Sequence, residues 1–149
     1  MDGLGKPPST SALWERLFKA ASIEQFVEQN ARGIGLTPFP EYVNALCKER
    51  GTVADRVIKK ASIERSFGHS VFRGDRHPSR DTVIQLAFGF EADMELAQSL
   101  LKHSGHSPLY PRVPRDVVIS YCLLHKASII ETQQTLMQME LPLIGGAGK

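Results

Sequence analysis

Residues 53–74 read VADRVIKKASIERSFGHSVFRG, and their apolar spacing predicts two short helices joined by a tight turn. The first helix, VADRVIKKA, is amphipathic, and Thr52 is expected to cap it. Ser62 and Ile63 turn the chain. The second helix covers about residues 64–72 and is stopped by Gly74, because glycine readily adopts the left-handed conformation that ends helices.

A short helix, a tight turn and a second short helix that ends at glycine form the outline of a helix-turn-helix. The same segment contains Arg73-Gly74-Asp75, the tripeptide of an adhesion ligand. An adhesion ligand needs an exposed loop on a secreted protein, whereas here the tripeptide falls where a helix ends. We therefore interpret Arg73 as a last-turn residue and Gly74 as the helix stop.

The flanking sequence is also punctuated like a helical protein, with breaks at Gly, Pro and Ser. Further helices are predicted for SALWERLFKAA, a segment beginning at Ser22, PEYVNALCKERG, DTVIQLAFGF, ADMELAQSLLKHSG, and an αα-hairpin formed by VVISYCLLHKA and SIIETQQTLMQM. Ala-Ser-Ile occurs three times at predicted helix junctions, where each serine is expected to cap the incoming helix. The tails MDGLGKPPST and GGAGK are expected to be disordered.

These patterns predict an all-α protein with four parts. Residues 1–36 form an N-terminal tail and helical extension, and residues 37–105 form a five-helix core with the helix-turn-helix. Residues 106–144 form the C-terminal hairpin, and residues 145–149 form a disordered tail. The apolar stripes of the hairpin, which include Leu123, Leu136, Met137, Met139 and Leu141, are expected either to form a dimer interface or to fold back on the core.

Length and composition fit a protein with a buried core. The chain has 149 residues, and Cys47 and Cys122 both lie in apolar helical patterns, which predicts reduced core thiols rather than a disulfide. No apolar run approaches the ~20 residues that span a bilayer, and the N-terminus lacks a signal-peptide pattern. We expect a soluble, cytoplasmic protein with no membrane partner.

Charge is distributed unevenly along the chain. The formal net charge is +2, but residues 48–80 contain nine cationic and four acidic side chains, a local charge of +5. This asymmetry suits a segment that faces a polyanion, although a solvated charged face explains it equally well.

The run from Thr52 to Leu101 resembles the phage repressor and Cro type of helix-turn-helix domain, the xenobiotic-response-element family of bacterial regulators. The most similar segment is FRGDRHPSRDTVIQLAFGF, in which the residues at the family's pattern positions are Gly74, Pro78, Ser79, Leu86 and Ala87. The resemblance also makes residues 39–50 the first helix of the domain. LYPRVPRD and the hairpin after it resemble a subgroup of these regulators with two extra C-terminal helices.

Two positions depart from the family pattern. Ile58 stands where a small alanine often packs the two motif helices together, and Gly68 lies in the middle of the second helix. Glycine there costs about 1 kcal/mol relative to alanine. Gly68 therefore makes the helix irregular, or it permits close approach to DNA or to another helix.

The resemblance implies a sequence-specific, double-stranded-DNA-binding transcriptional regulator that acts as a homodimer, with the second helix in the major groove. The candidate base contacts are Glu64, Arg65, Ser66, His69 and Ser70. The candidate phosphate contacts are Thr52, Ala54, Arg73, Arg76, His77 and Arg80. For Thr52 and Ala54 the contact would use a backbone amide at a helix start.

Other chemistry has weaker support. His103 and His106 have a spacing that suits zinc, but Ser104-Gly105 interrupts the helix and no further ligand follows. No side chains form a nucleophile arrangement, so we expect no enzyme activity, no metal and no cofactor. The alternative function is a protein-binding adaptor or antitoxin that uses the same fold, with its partner on the C-terminal hairpin.

Overall fold

The computed structural model describes residues 9–30 and 35–145, and within these ranges all regular structure is α-helical. The predicted all-α class is therefore confirmed. The tails predicted to be disordered fall largely on residues 1–8 and 146–149, outside the described residues. No helix in the described ranges combines the length and apolarity needed to cross a bilayer.

The chain divides into two compact units, residues 1–36 and 37–149. The first unit contains α1 (Thr10–Lys19) and α2 (Ile23–Gln29). Each begins at a serine whose hydroxyl accepts a bond from a first-turn amide: Ser9 from Ala12 and Ser22 from Gln25, both at 3.1 Å. These caps satisfy amides that have no partner within the helix, which explains where both helices start.

The described part of the second unit, residues 37–145, has seven helices: α3 (Phe39–Glu49), α4 (Ala54–Lys60), α5 (Arg65–Arg73), α6 (Arg80–Gly89), α7 (Met94–His103), α8 (Pro114–Leu124) and α9 (Ile129–Gln138). Helix α4 packs against α5 and α6, while α3 packs against α5 and α7. One apolar core joins them. Its fully buried members include Val57, Ile58, Ile84, Leu100 and Leu136.

The α5 end has the predicted geometry. Gly74 has φ +89°, and the amide of Asp75 donates to the carbonyl of Ser70 at 2.9 Å. The left-handed glycine thus lets the chain turn back onto the last carbonyls of the helix. Arg73 is the final residue of α5, so this part of the prediction is confirmed.

The Ala-Ser-Ile junctions do not share one structure. Ser22 and Ser128 are helix caps, and Ser128 forms a full capping box with Glu131. Ser62 instead has φ +58° and closes the end of α4, while Glu64 caps α5. The prediction is therefore wrong for the middle copy, because the helix there starts two residues later.

The hairpin folds back with one side on the core. Helix α8 packs against α7, and α9 packs against α6. The inward side chains include Ile119, Leu123 and Leu136, whereas Met137 and Met139 are exposed. The two cysteines, Cys47 and Cys122, are buried and unbonded as predicted. Burial raises the pKa of the Cys47 thiol.

Two reciprocal ion pairs join α6 to α8. The dipeptide Arg-Asp occurs at the start of each helix, as Arg80-Asp81 and Arg115-Asp116. Each arginine binds the aspartate of the other helix: Arg80 Nη2 lies 2.9 Å from Asp116 Oδ2, and Arg115 Nη2 lies 2.9 Å from Asp81 Oδ2. Asp116 is buried and also accepts from the amide of Tyr110. These bidentate pairs fix the first turn of α8 against the first turn of α6.

Candidate nucleic-acid interface

Helix α5 lies unusually close to α4 because a large and a small residue face each other. A Cβ atom added at Gly68 would lie 2.6–2.9 Å from three side-chain atoms of Ile58. Of the alternatives for Gly68, the structure therefore shows close approach to another helix. The small residue of the contact lies on α5 and the large one on α4, the reverse of the family pattern.

This packing leaves one face of α5 open. Gly68, Val71 and Phe72 are buried. The opposite side carries the residues at helical spacing that remain at least partly exposed: Arg65, Ser66, His69, Ser70 and Arg73. We call these five residues the α5 outer face. No acidic residue occurs within α5 itself.

Asp55, on the first turn of α4, binds two side chains of the α5 outer face. Its Oδ1 lies 2.9 Å from Arg65 Nε and 2.9 Å from His69 Nε2. The hydrogen bonds from His69 and then from Arg65 hold the pKa of the Asp55 carboxyl below its usual value. The Arg65 side chain is nevertheless 78% exposed. Asp55 thus orients Arg65 and His69 without removing them from solvent.

Glu64 precedes α5 rather than belonging to it. Its carboxylate accepts the amides of Ser66 and Phe67, each at 2.9 Å, and so caps the helix. Bonds from the amides of Phe67 and Ser66 lower the pKa of this carboxyl. Both oxygens thus bind the start of the helix, which leaves Glu64 fewer acceptor positions for a base edge than an unbound carboxylate has.

The two serines of the α5 outer face differ. Ser66 is exposed, whereas Ser70 is half-buried and its hydroxyl donates to the carbonyl of Phe67 at 2.7 Å. Ser70 retains acceptor capacity, because a hydroxyl has two lone pairs. At the end of the face, Arg73 Nε lies 3.0 Å from Asp75 Oδ2, with both side chains exposed.

Thr52 and Ala54 do not offer the predicted pair of open amides. The amide of Thr52 donates to the carbonyl of Cys47 at 2.9 Å, where it closes the end of α3. The residue that caps α4 is Val53, which forms no side-chain cap. Ala54 is the first residue of α4, but this helix has only 7 residues, so its dipole is small.

The cations after α5 separate into two groups. Arg76 and His77 are exposed, and neither forms an ion pair within the described residues. Arg80 binds both oxygens of Asp116 and donates to the carbonyls of Ser107 and Pro108, each at 3.0 Å. Arg80 is therefore no longer a candidate phosphate contact, because its guanidinium donates to groups within the protein.

The two histidines considered for zinc have separate partners. His103 stacks on Tyr42 with ring centroids 3.8 Å apart, and its Nδ1 lies 2.9 Å from the carbonyl of Ser99. His106 Nε2 lies 2.8 Å from the carbonyl of Pro78. Three or more metal-ligating side chains do not cluster anywhere in residues 9–30 and 35–145.

The sequence analysis missed Asp55 as the partner of Arg65 and His69. The signal was weak, because Asp55 is 10 residues from Arg65 and the turn between them decides whether the two meet. No family model, curated protein or solved structure matches the chain.

Proposed function

We propose that α4 and α5 form a helix-turn-helix unit with which the protein recognises double-stranded DNA by sequence, as a transcriptional regulator. The observation that carries this proposal is the α5 outer face. It presents Arg65, His69 and Arg73 from one helix that contains no carboxylate and is held against α4. A helix with such a face suits the major groove, where donors meet base edges and cations meet phosphates.

Arg65 is the central residue of this proposal. Its pair with Asp55 is solvent-exposed, and exposed pairs contribute only about 0–1 kcal/mol. Guanine offers O6 and N7 to an arginine, and such a bidentate contact discriminates against the wrong base by about 1–3 kcal/mol. Release of Arg65 from Asp55 therefore costs the fold little and leaves its guanidinium able to bind guanine. His69 and Ser66 extend the same face toward neighbouring base edges.

The phosphate contacts follow from the position of the remaining cations. Arg73 ends α5, and Arg76 and His77 follow it on the exposed loop before α6. In a bound duplex these residues lie where the backbone borders the groove. Such contacts fix the register of the helix but do not read sequence, and they make binding weaken as salt is added.

The test is selection from a random duplex library at physiological salt. We expect the wild type to enrich one motif, and Arg65→Ala to relax one base position of it and to weaken binding about 5- to 150-fold. Lys59→Ala is the matched control, since it removes the same charge from an exposed position of α4. Equal effects of the two substitutions, or no enriched motif, would overturn the proposal. Salt-sensitive binding with Kd of ~10⁻⁴ to 10⁻⁶ M does not support it, because any cationic patch binds that weakly.

Asp55→Asn tests the exchange in the opposite direction. The substitution removes the carboxylate that competes with DNA for Arg65 and His69. We expect tighter binding of the selected duplex, and we expect this gain to vanish in the Asp55→Asn/Arg65→Ala double variant. A gain that persists in full without Arg65 would mean that Asp55 acts through His69 or through net charge rather than through Arg65.

A second candidate function is binding of a protein partner, as in an adaptor or antitoxin. The observation that favours it is that the basic cluster after α5 is interrupted, since Arg80 turns inward to Asp116. Asp55 and Asp75 also offset part of the charge of the α5 outer face. On this reading the selection enriches no motif, and Asp55→Asn leaves duplex binding unchanged.

A further inference from the structure

The side of α8 that faces away from the core carries a row of exposed apolar side chains. It carries Val113, Val117, Tyr121 and Leu124, which recur at spacings of three or four residues and so lie on one stripe. Their exposed fractions are 41%, 44%, 62% and 65%. Tyr110, just before the helix, is 52% exposed. We call these five residues the α8 outer stripe.

Within α8 the stripe lacks charge because the charged residues of the helix point elsewhere, whereas Arg112, between Tyr110 and Val113, is exposed. Arg115 and Asp116 are the charged residues between Pro114 and Leu124, and both are used in the reciprocal pairs with Asp81 and Arg80. A helix that is apolar on all sides is typical of a buried helix. Here the residues that the structure describes cover only the inner side.

We propose that the α8 outer stripe is the dimer interface, and that its occupant is the same stripe of a second copy in antiparallel orientation. Homodimer interfaces are more apolar than interfaces between proteins that also exist apart, which suits an uncharged face. A two-fold axis makes each residue pair occur twice, so such a face must be complementary to itself.

The order of side chains along α8 meets this requirement. With the axis near the middle of the helix, Val117 of one copy faces Tyr121 of the other, and Val113 faces Leu124. Each small side chain thus meets a larger one, as facing positions in well-packed interfaces do. From residue 113 to residue 124 the helix rises about 16 Å, enough for three turns of contact.

The available area is consistent with a dimer. At the exposures given above, the α8 outer stripe presents on the order of 500 Å² per copy, taking 150–250 Å² for a fully exposed large side chain. Two copies that cover these stripes with each other remove on the order of 1,000 Å² from solvent in total, the lower limit for a specific interface.

Two copies joined in this way present two α5 helices, as a reader of paired half-sites requires. In this respect the inference rests on the proposed DNA-binding function and deepens it. The self-association itself does not depend on DNA. It can therefore be measured without any duplex, and either proposal can fail while the other stands.

The first experiment is sedimentation equilibrium of the full chain over a range of concentrations. We expect the mass to rise from 16.5 kDa toward twice that value as concentration increases. Tyr121→Asp is expected to raise the dimer dissociation constant at least 30-fold, on the order of an interface hot spot. Ala45→Asp, at an exposed position of α3, is the control for placing aspartate in a helix and is expected to leave the dissociation constant unchanged. Circular dichroism checks that both variants remain folded.

The second experiment tests the orientation. Chains with Val117→Cys are mixed with chains carrying Tyr121→Cys and oxidised, and the native thiols do not compete because Cys47 and Cys122 are buried. We expect several-fold more cross-linked dimer in the mixture than in either sample alone. A mass that stays at 16.5 kDa, or a dimer that Tyr121→Asp leaves intact, would overturn the interface. Equal cross-linking in all three samples would overturn the antiparallel pairing.

Discussion

Substitution of Gly68 by alanine tests how α4 and α5 are held together. The new Cβ would lie 2.6 Å from Ile58 Cγ2, 2.8 Å from Cγ1 and 2.9 Å from Cδ1. Carbon atoms in contact normally lie ~3.5–4.0 Å apart, so the overlap is about 1 Å. Ile58 is 1% exposed and branched at Cβ, so it cannot turn into solvent. The two helices must therefore separate or the isoleucine must leave its rotamer.

Two opposing effects set the size of the change. Alanine gains about 1 kcal/mol over glycine in a helix interior, while overpacking a core costs about 1–3 kcal/mol. The single substitution is thus expected to lower the free energy of unfolding by up to about 2 kcal/mol. In an Ile58→Ala chain, which itself loses about 2–5 kcal/mol, the overlap is gone. There Gly68→Ala is expected to raise the free energy of unfolding by about 1 kcal/mol.

The assay is urea unfolding of the four chains of this cycle, followed by circular dichroism and analysed by linear extrapolation. Leu136→Ala provides a control background, because it removes buried atoms from α9 and leaves Ile58 in place. In that background Gly68→Ala is expected to remain destabilising, since distant substitutions add. If Gly68→Ala changed the free energy of unfolding by the same sign and size in the Ile58→Ala and Leu136→Ala backgrounds, the reasoning would be refuted.

Three further predictions concern the packing of α6 against α4 and against α8. Gly89→Ala is expected to lower the free energy of unfolding, measured in urea, by about 3 kcal/mol or more. The new Cβ would meet the backbone carbonyl of Val57, which cannot rotate away as a side chain can. A loss smaller than that of Gly68→Ala would contradict this prediction. Asp116→Ala is expected to lower the free energy of unfolding by about 3–5 kcal/mol, since it leaves Arg80 without its buried partner. The control Asp75→Ala breaks an exposed pair and is expected to lower it by less than about 1 kcal/mol. Similar losses for the two variants would count against a structural role for the reciprocal pairs. For Asp81, burial acts to raise the pKa, but the bonds from Arg115 and from the amide of Gly145 outweigh it and leave the pKa lowered. The stabilisation from Asp81 is therefore present above the unfolded pKa of about 3.9 and is lost as pH falls through the folded pKa. Asp81→Asn is thus expected to reduce the loss of stability in acid. Urea unfolding midpoints measured across this pH range test the prediction.

Local chemistry explains which parts of the structure were predictable. Gly74 was recognised as a helix stop because left-handed geometry favours one residue type, and Ser22 and Ser128 were recognised as caps because each precedes a helical apolar pattern. The resemblance implied that Arg65, Ser66, His69 and Ser70 share an accessible face of α5, and these side chains are at least partly exposed. These features depend on residues within one or two turns of each other.

The remaining features depend on contacts between distant segments. Arg80 and Asp116 are 36 residues apart, and a basic residue at a helix start looks the same in the sequence whether it meets a phosphate or a carboxylate. Thr52 was expected to cap α4 because it precedes that helix, but its amide donates to a carbonyl in the last turn of α3. The repetition of Arg-Asp at 80–81 and 115–116 was a visible signal, but the pairing becomes apparent only when the two helix starts are placed together.

The reciprocal pairing of those two dipeptides has a geometric consequence. One ion pair between two helices fixes a single point, so the helices can still rotate about it. Two ion pairs with opposite polarity fix two points and prevent that rotation. Helices α6 and α8 are joined by two such pairs, Arg80 with Asp116 and Arg115 with Asp81. The direction of α8, and with it the direction in which its outer side faces, is thereby set by the start of α6. A single residue inserted between Arg115 and Asp116 would change their spacing, so the two ion pairs could no longer form together.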